Sequence, residues 1–164
     1  MIARKRLMAF ALAAGLLGTL AGIGQEEEKA KKEHSILAPA DLKWGEGPDA
    51  LPSGVKAVVV EGDPKKADIF HMRLKAPAGY RIMPHRHSNT ERVTVISGSV
   101  KLGLGEQYDE SKTKMLPAGS FFSLPPGTAH FVTVSEETVI QISTTGPWNL
   151  TYVNPSDDPR LKAK

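Results

Sequence analysis

The chain has 164 residues with 15 glycines, 12 prolines and no cysteine. That length suits one domain around one hydrophobic core, and the composition excludes a disulfide scaffold and argues against a helical bundle. The net charge of +3 comes from 21 basic and 18 acidic residues, and Arg4, Lys5 and Arg6 supply all of the excess, so the chain beyond residue 24 is neutral and its charge offers no case for nucleic-acid binding.

Residues 1–24 read as a secretory signal peptide. A basic start at Arg4, Lys5 and Arg6 precedes an uncharged apolar stretch from Leu7 to Gly24, the order of an n-region and an h-region. Thr19-Leu20-Ala21 offers a cleavage site before Gly22, and Gly22-Ile23-Gly24 a second before Gln25. The alternative is an uncleaved anchor, for which the stretch is only just long enough and is diluted by glycine. Without cysteine there is no lipid attachment. A cleaved leader leaves no stable membrane span and implies a periplasmic or secreted protein.

Residues 25–54 form a polar spacer followed by an irregular arm. Gln25 to Glu33 is almost entirely Glu, Lys and Ala, and His34 belongs to the same polar run. From Ile36 to Gly54, prolines and glycines break any period, and Trp44 is the expected packing anchor.

Strand signals then follow at short intervals over residues 55–153. Val55–Val60, Ile69–Lys75, Arg81–His87, Glu91–Ile96 and Ser99–Leu104 come first. Phe121–Leu124, His130–Val134, Thr138–Thr144 and Leu150–Val153 complete the set. Ile69–Lys75 alternates, with Phe70, Met72 and Leu74 on one face and His71 and Arg73 on the other, exposed one. Glycine and proline turns separate the strands, at Gly79, Gly98, Gly119 and Gly127 among others, where a positive φ or a close approach is expected. Many short strands with regular turns predict an all-β fold, a small antiparallel β-barrel or double-sheet jelly roll. Residues 154–164 form a tail.

Chemistry concentrates in four residues. His85 and His87 are two apart, so a strand turns both imidazoles to one face. Pro84 lacks an amide donor, which favours a bulge or a sheet edge, and such a feature would aim the following histidines inward. Ser88-Asn89-Thr90 can turn the chain and return the Glu91 carboxylate toward the two rings. His130 opens a later strand beyond Pro125-Pro126-Gly127. Three neutral imidazoles and one carboxylate suit a divalent transition metal, Fe, Mn, Zn, Ni or Cu, and leave one or two positions open for water or substrate.

The stretch from Gly79 to Gly98, with Gly79, His85, His87, Glu91 and Gly98 in place, resembles the first signature of the cupin superfamily. Gly119 to His130, with Gly119, Pro125, Gly127 and His130, resembles the second. The second signature normally ends in Asn where this chain has Val134, which removes a polar contact near the site but no metal ligand. The resemblance implies a small barrel of two antiparallel sheets, a metal at His85, His87, Glu91 and His130, and a small-molecule ligand or substrate; it leaves a homodimer open.

Met83, Val93, Val95 and Val134 are expected to line the pocket, with Gln141 and Thr94 as its polar exceptions. Arg86 and Arg92 should point outward. Such a site serves either a metal-dependent oxygenase, isomerase or hydrolase acting on a small molecule, or a non-catalytic module that binds or senses a metal or small ligand. No catalytic residue beyond the ligands is identifiable, although Glu91 alone among them suits a proton acceptor.

Overall fold

The computed structural model describes residues 35–162. The leader predicted over residues 1–24, most of the polar spacer with His34, and the last two residues of the tail lie outside the described residues.

Among the described residues, eleven strands run in the order β1 (Gly45–Glu46), β2 (Lys56–Glu61), β3 (Ile69–Ala76), β4 (Arg81–Arg86), β5 (Glu91–Ser97), β6 (Ser99–Leu104), β7 (Lys114–Pro117), β8 (Phe121–Leu124), β9 (His130–Thr133), β10 (Thr138–Thr145) and β11 (Thr151–Tyr152). One sheet has the order β1-β2-β3-β10-β5-β8 and the other β11-β4-β9-β6-β7, with every pairing antiparallel. This is the predicted double-sheet jelly roll. No helix among the described residues is long and apolar enough to cross a membrane.

Period-two alternation decides which side chains meet between the sheets. Phe70, Met72 and Leu74 of β3 are buried and sit in register with Thr144, Ile142 and Ile140 of β10. Val93 and Val95 of β5 are each 1% exposed, and Glu91 shares their parity, so the fold carries a carboxylate inward at the first position of an otherwise apolar strand face. At the β5–β6 turn Gly98 adopts φ 71°, and a Cβ there would meet Thr138 Oγ1 at 2.5 Å and Glu137 O at 2.6 Å. Only glycine fits that turn.

The arm differs from the expectation in two ways. Gly45–Glu46 pairs with β2, so the segment is not wholly irregular. Its buried anchors are Ala50 and Leu51, whereas Trp44 is half-buried beneath the Lys75 ammonium, 4.6 Å from the ring centroid. Two hydroxyls pin the arm: Tyr80 donates to Pro52 O at 2.5 Å and Tyr152 to Ala50 O at 3.0 Å.

β7 carries no alternating pattern, and the sequence reading passed over it. It forms because Ser99–Leu102 offers it a ladder partner. The last predicted strand shrinks to Thr151–Tyr152; at its start Arg160 donates to the Leu150 carbonyl at 3.1 Å, and just past its end Val153 N donates to Pro84 O at 2.8 Å. Beyond it the tail makes two 3-10 turns, Pro155–Asp157 and Pro159–Leu161, capped by the side chains of Asn154 and Asp158.

Candidate metal centre

Three strands from two sheets build the site. β4 and β9 lie side by side in one sheet, with Ile82 opposite Val132 and His85 opposite His130. Three residues of β4 are thus spanned by two of β9, which places a bulge at Met83-Pro84. The bulge resets the alternation, so Ile82, His85 and His87 all border one cavity although Ile82 and His85 are an odd number of residues apart. Pro84, unable to donate to a ladder, sits where the ladder is broken. Glu91 arrives from β5 in the facing sheet.

His85, His87, Glu91 and His130 are 2%, 7%, 7% and 1% exposed. The three imidazoles offer ring nitrogens that all lie within 4.8 Å of one another. Glu91 Oε1 is 3.4 Å from His87 Nε2, and Oε2 is 3.1 Å from His130 Nε2, an ion-pair distance without the alignment of a hydrogen bond.

Each histidine gives its Nδ1–H to a backbone carbonyl: His85 to Met83 O at 2.8 Å, His87 to Asn149 O at 2.5 Å and His130 to Thr128 O at 3.2 Å. A carbonyl only accepts, so these bonds fix the tautomer and leave each Nε2 lone pair free in the neutral ring. Burial, reinforced by the neighbouring His130 and His87 rings, pushes His85 from 6.5 down to about 3. Burial likewise lowers His87, against the opposing pull of Glu91 and the Asn149 carbonyl. At Glu91 burial would raise the carboxyl, but the imidazoles of His130, His87 and His85 outweigh it and hold the group below its usual range. Burial thus keeps the His85 and His87 rings neutral beside the Glu91 carboxyl.

Two polar atoms of this cluster, His87 Nε2 and Glu91 Oε2, are buried with no hydrogen-bond partner. Lone pairs aimed at one another in an apolar interior cost free energy, and a cation between them removes that cost. The donor set fits a divalent transition ion.

A cavity of about 30 Å³ adjoins the cluster, room for about two waters. Val93 lines it as predicted, but Met83, Val95 and Val134 do not. The Met83 carbonyl instead orients His85, and Val95 and Val134 are buried in the core farther from the site. Leu51, Phe122, Ile140, Ile142, Trp148 and Leu150 are among the walls that the sequence reading missed. Phe122 was legible by its parity with Leu124; the arm and the loop at Trp148 have no period to read.

Gln141 and Thr94 correct a second expectation. They are register partners on the outer face of the sheet, where Arg73 Nε donates to Gln141 Oε1 at 3.0 Å. His71 also lies outside, half-buried rather than free, with its Nδ1 2.8 Å from Ser143 Oγ. Arg86 points away from the cluster and donates to Gly127 O at 2.6 Å and to Glu106.

A family model described as a domain of unknown function, DUF4437, matches residues 25–151. No curated protein matches the chain. Among solved structures, the polyketide cyclase RemF from Streptomyces resistomycificus is 18% identical with a TM-score of 0.65, covering 77% of this chain and 90% of its own. A putative acetylacetone dioxygenase from Methylibium petroleiphilum is 17% identical with a TM-score of 0.60, covering 80% and 88%. An RmlC-like cupin from Shewanella frigidimarina is 12% identical with a TM-score of 0.54, covering 69% and 91%. At these identities the likeness is one of fold, and the fold is the cupin barrel.

Proposed function

The chain belongs to the DUF4437 family and has the cupin fold, and on that premise we propose that it is a metal-dependent enzyme acting on a small oxygen-rich molecule. His85, His87, Glu91 and His130 are its metal ligands. The observation that carries this reading is the pair of orphaned lone pairs, His87 Nε2 and Glu91 Oε2, buried among three imidazoles of fixed tautomer.

A divalent ion bound there supplies Lewis acidity or, as Fe or Cu, redox chemistry. The chain's own residues do the rest. The carbonyls of Met83, Asn149 and Thr128 hold the rings as neutral donors. The apolar walls exclude bulk water, and Glu91 is the group able to accept a proton from the substrate.

A second reading, a non-catalytic metal or small-ligand module, is favoured by one feature: apart from the four ligands and Trp148, the residues lining the cavity are aliphatic or phenyl. Metal analysis comes first. The purified protein should hold about one transition ion per chain, and His87→Ala combined with His130→Ala should abolish it. Stoichiometric metal in that double variant would end the ligand assignment. The Fe(II)-loaded protein should then consume oxygen with acetylacetone or a related β-diketone, a substrate suggested by the name of the Methylibium relative. A metal-loaded protein that turns over none of these compounds supports the binding module.

We further propose export. With its leader cleaved, the mature protein should begin between Gly22 and Glu26 on N-terminal sequencing; an intact Met1 in the periplasmic fraction contradicts the cleavage, and a chain found only in the cytoplasm contradicts the export.

A further inference from the structure

Trp148 carries the one hydrogen-bond donor side chain among the residues lining the cavity that is not a proposed ligand. Its indole ring lies 5.7 Å from the His87 ring, centroid to centroid, at an interplanar angle of 33°. The ring borders two spaces: the cavity itself and a crevice formed with Ser88, Asn89, Thr144 and Asn149 that also reaches His87 and Glu91. Nε1 is buried and has no hydrogen-bond partner in the protein. A buried N–H left in that state is costly, and because the crevice has no room for a water-sized group, the cavity is the space that can supply a partner.

The loop that carries Trp148 is held by the site. Asn149 O accepts from His87 Nδ1, its Oδ1 accepts from Ser88 N at 3.0 Å, and its Nδ2 donates to Ser88 Oγ at 2.7 Å. The same few residues therefore fix one ligand ring and present the indole beside it.

Charge and size narrow the partner. A divalent ion with three neutral imidazoles and one carboxylate leaves a charge of one positive unit in an apolar cavity, which a monoanion neutralises. The cavity's roughly 30 Å³ limits that anion to a few heavy atoms. We propose that the Trp148 indole N–H completes an anion subsite beside the metal centre and donates to an oxygen of a small monoanion of carboxylate type. The subsite rests on the metal-centre reading above.

Formate is the probe. In the full chain, ¹⁵N-labelled and loaded with Zn(II), the two tryptophans give two indole signals, assigned with Trp44→Phe. Formate should move the Trp148 Nε1–H signal downfield in a saturable way and leave Trp44 unmoved. In the Co(II)-loaded protein, whose visible absorption reports ligand exchange, Trp148→Phe should retain about one cobalt per chain yet bind formate about tenfold more weakly.

A wild-type chain that takes up neither zinc nor cobalt defeats the metal-centre reading and the subsite with it. Metal uptake with no movement of the Trp148 signal, or with equal formate affinity in Trp148→Phe, overturns the subsite alone. A shift of equal size in the metal-free chain overturns it as well. Should Trp148→Phe fail to hold cobalt, the wild-type indole signal decides by itself.

Discussion

A buried imidazole that has given its Nδ1–H to a carbonyl can gain a proton only at Nε2, and in this site Nε2 of His87 faces other lone pairs rather than solvent. Burial of the charged ring sets protonation against the fold, and at His87 it outweighs the pull of Glu91. His85 falls from 6.5 to about 3, so between those values the unfolded chain binds more protons than the native one. The sign follows: stability present at neutral pH is lost as the pH falls through that window, and the lowered His87 acts in the same direction. At pH 5 the His85 contribution alone is about 2 kcal/mol. Urea denaturation of the metal-free protein should show that loss between pH 7 and pH 5, and His85→Gln should flatten the dependence. A midpoint that does not move over this range would show that His85 titrates as an ordinary exposed ring.

Strands were the legible level of this chain. Alternation and turn signals located β3, β5 and β10 to within a residue of their ends, and Pro84 lies in the β4 bulge that turns His85 and His87 into the cavity. The same reasoning placed Val95 and Val134 on the inward side but not their depth, because parity fixes a face and not a distance from the cluster. Trp148 and Leu51, which do border the cavity, come from segments without any period. β9 illustrates both faces of one strand. His130 and Val132 border the cavity, whereas Phe131, their neighbour of opposite parity, lies over Gly103 of β6, its register partner. A Cβ at Gly103 would fall 2.0 Å from the end of the Phe131 ring, which is 1% exposed and packs on Tyr108 at 5.0 Å. Gly103→Ala should therefore cost about 1–3 kcal/mol through displacement of that ring, read as a lower thermal midpoint. Metal content should stay near one per chain, since the strain falls on the face opposite His130. Loss of metal at unchanged stability would mean that the two faces of β9 are coupled in the other sense.

Across the whole molecule, the ligands are divided unequally: His85 and His130 belong to one sheet, His87 follows directly on the end of β4 in that sheet, and Glu91 belongs to the other. An ion held by all four ties the sheets together, and because the unfolded chain lacks the site, binding stabilises the fold. At a free-ion concentration of one hundred times Kd the gain is about 2.7 kcal/mol, and chelation should remove it. Glu91 is then a residue whose two roles oppose each other. In the metal-free protein it is a buried carboxylate whose Oε2 is unpartnered and whose Oε1 lies 3.4 Å from His87 Nε2. Glu91→Gln removes the charge and supplies an amide N–H that His87 Nε2 can accept. The metal-free variant should therefore be more stable than the metal-free parent, by about 1 kcal/mol. It should also bind the ion more weakly and gain less stability on loading, because the link to the second sheet is reduced to a neutral oxygen. The two proteins should thus exchange rank between chelated and metal-saturated conditions, a crossing that simple loss of packing cannot produce. If Glu91→Gln is the less stable protein under both conditions, the carboxylate contributes to the fold without a metal, and the orphaned lone pairs lose their meaning as the imprint of an ion.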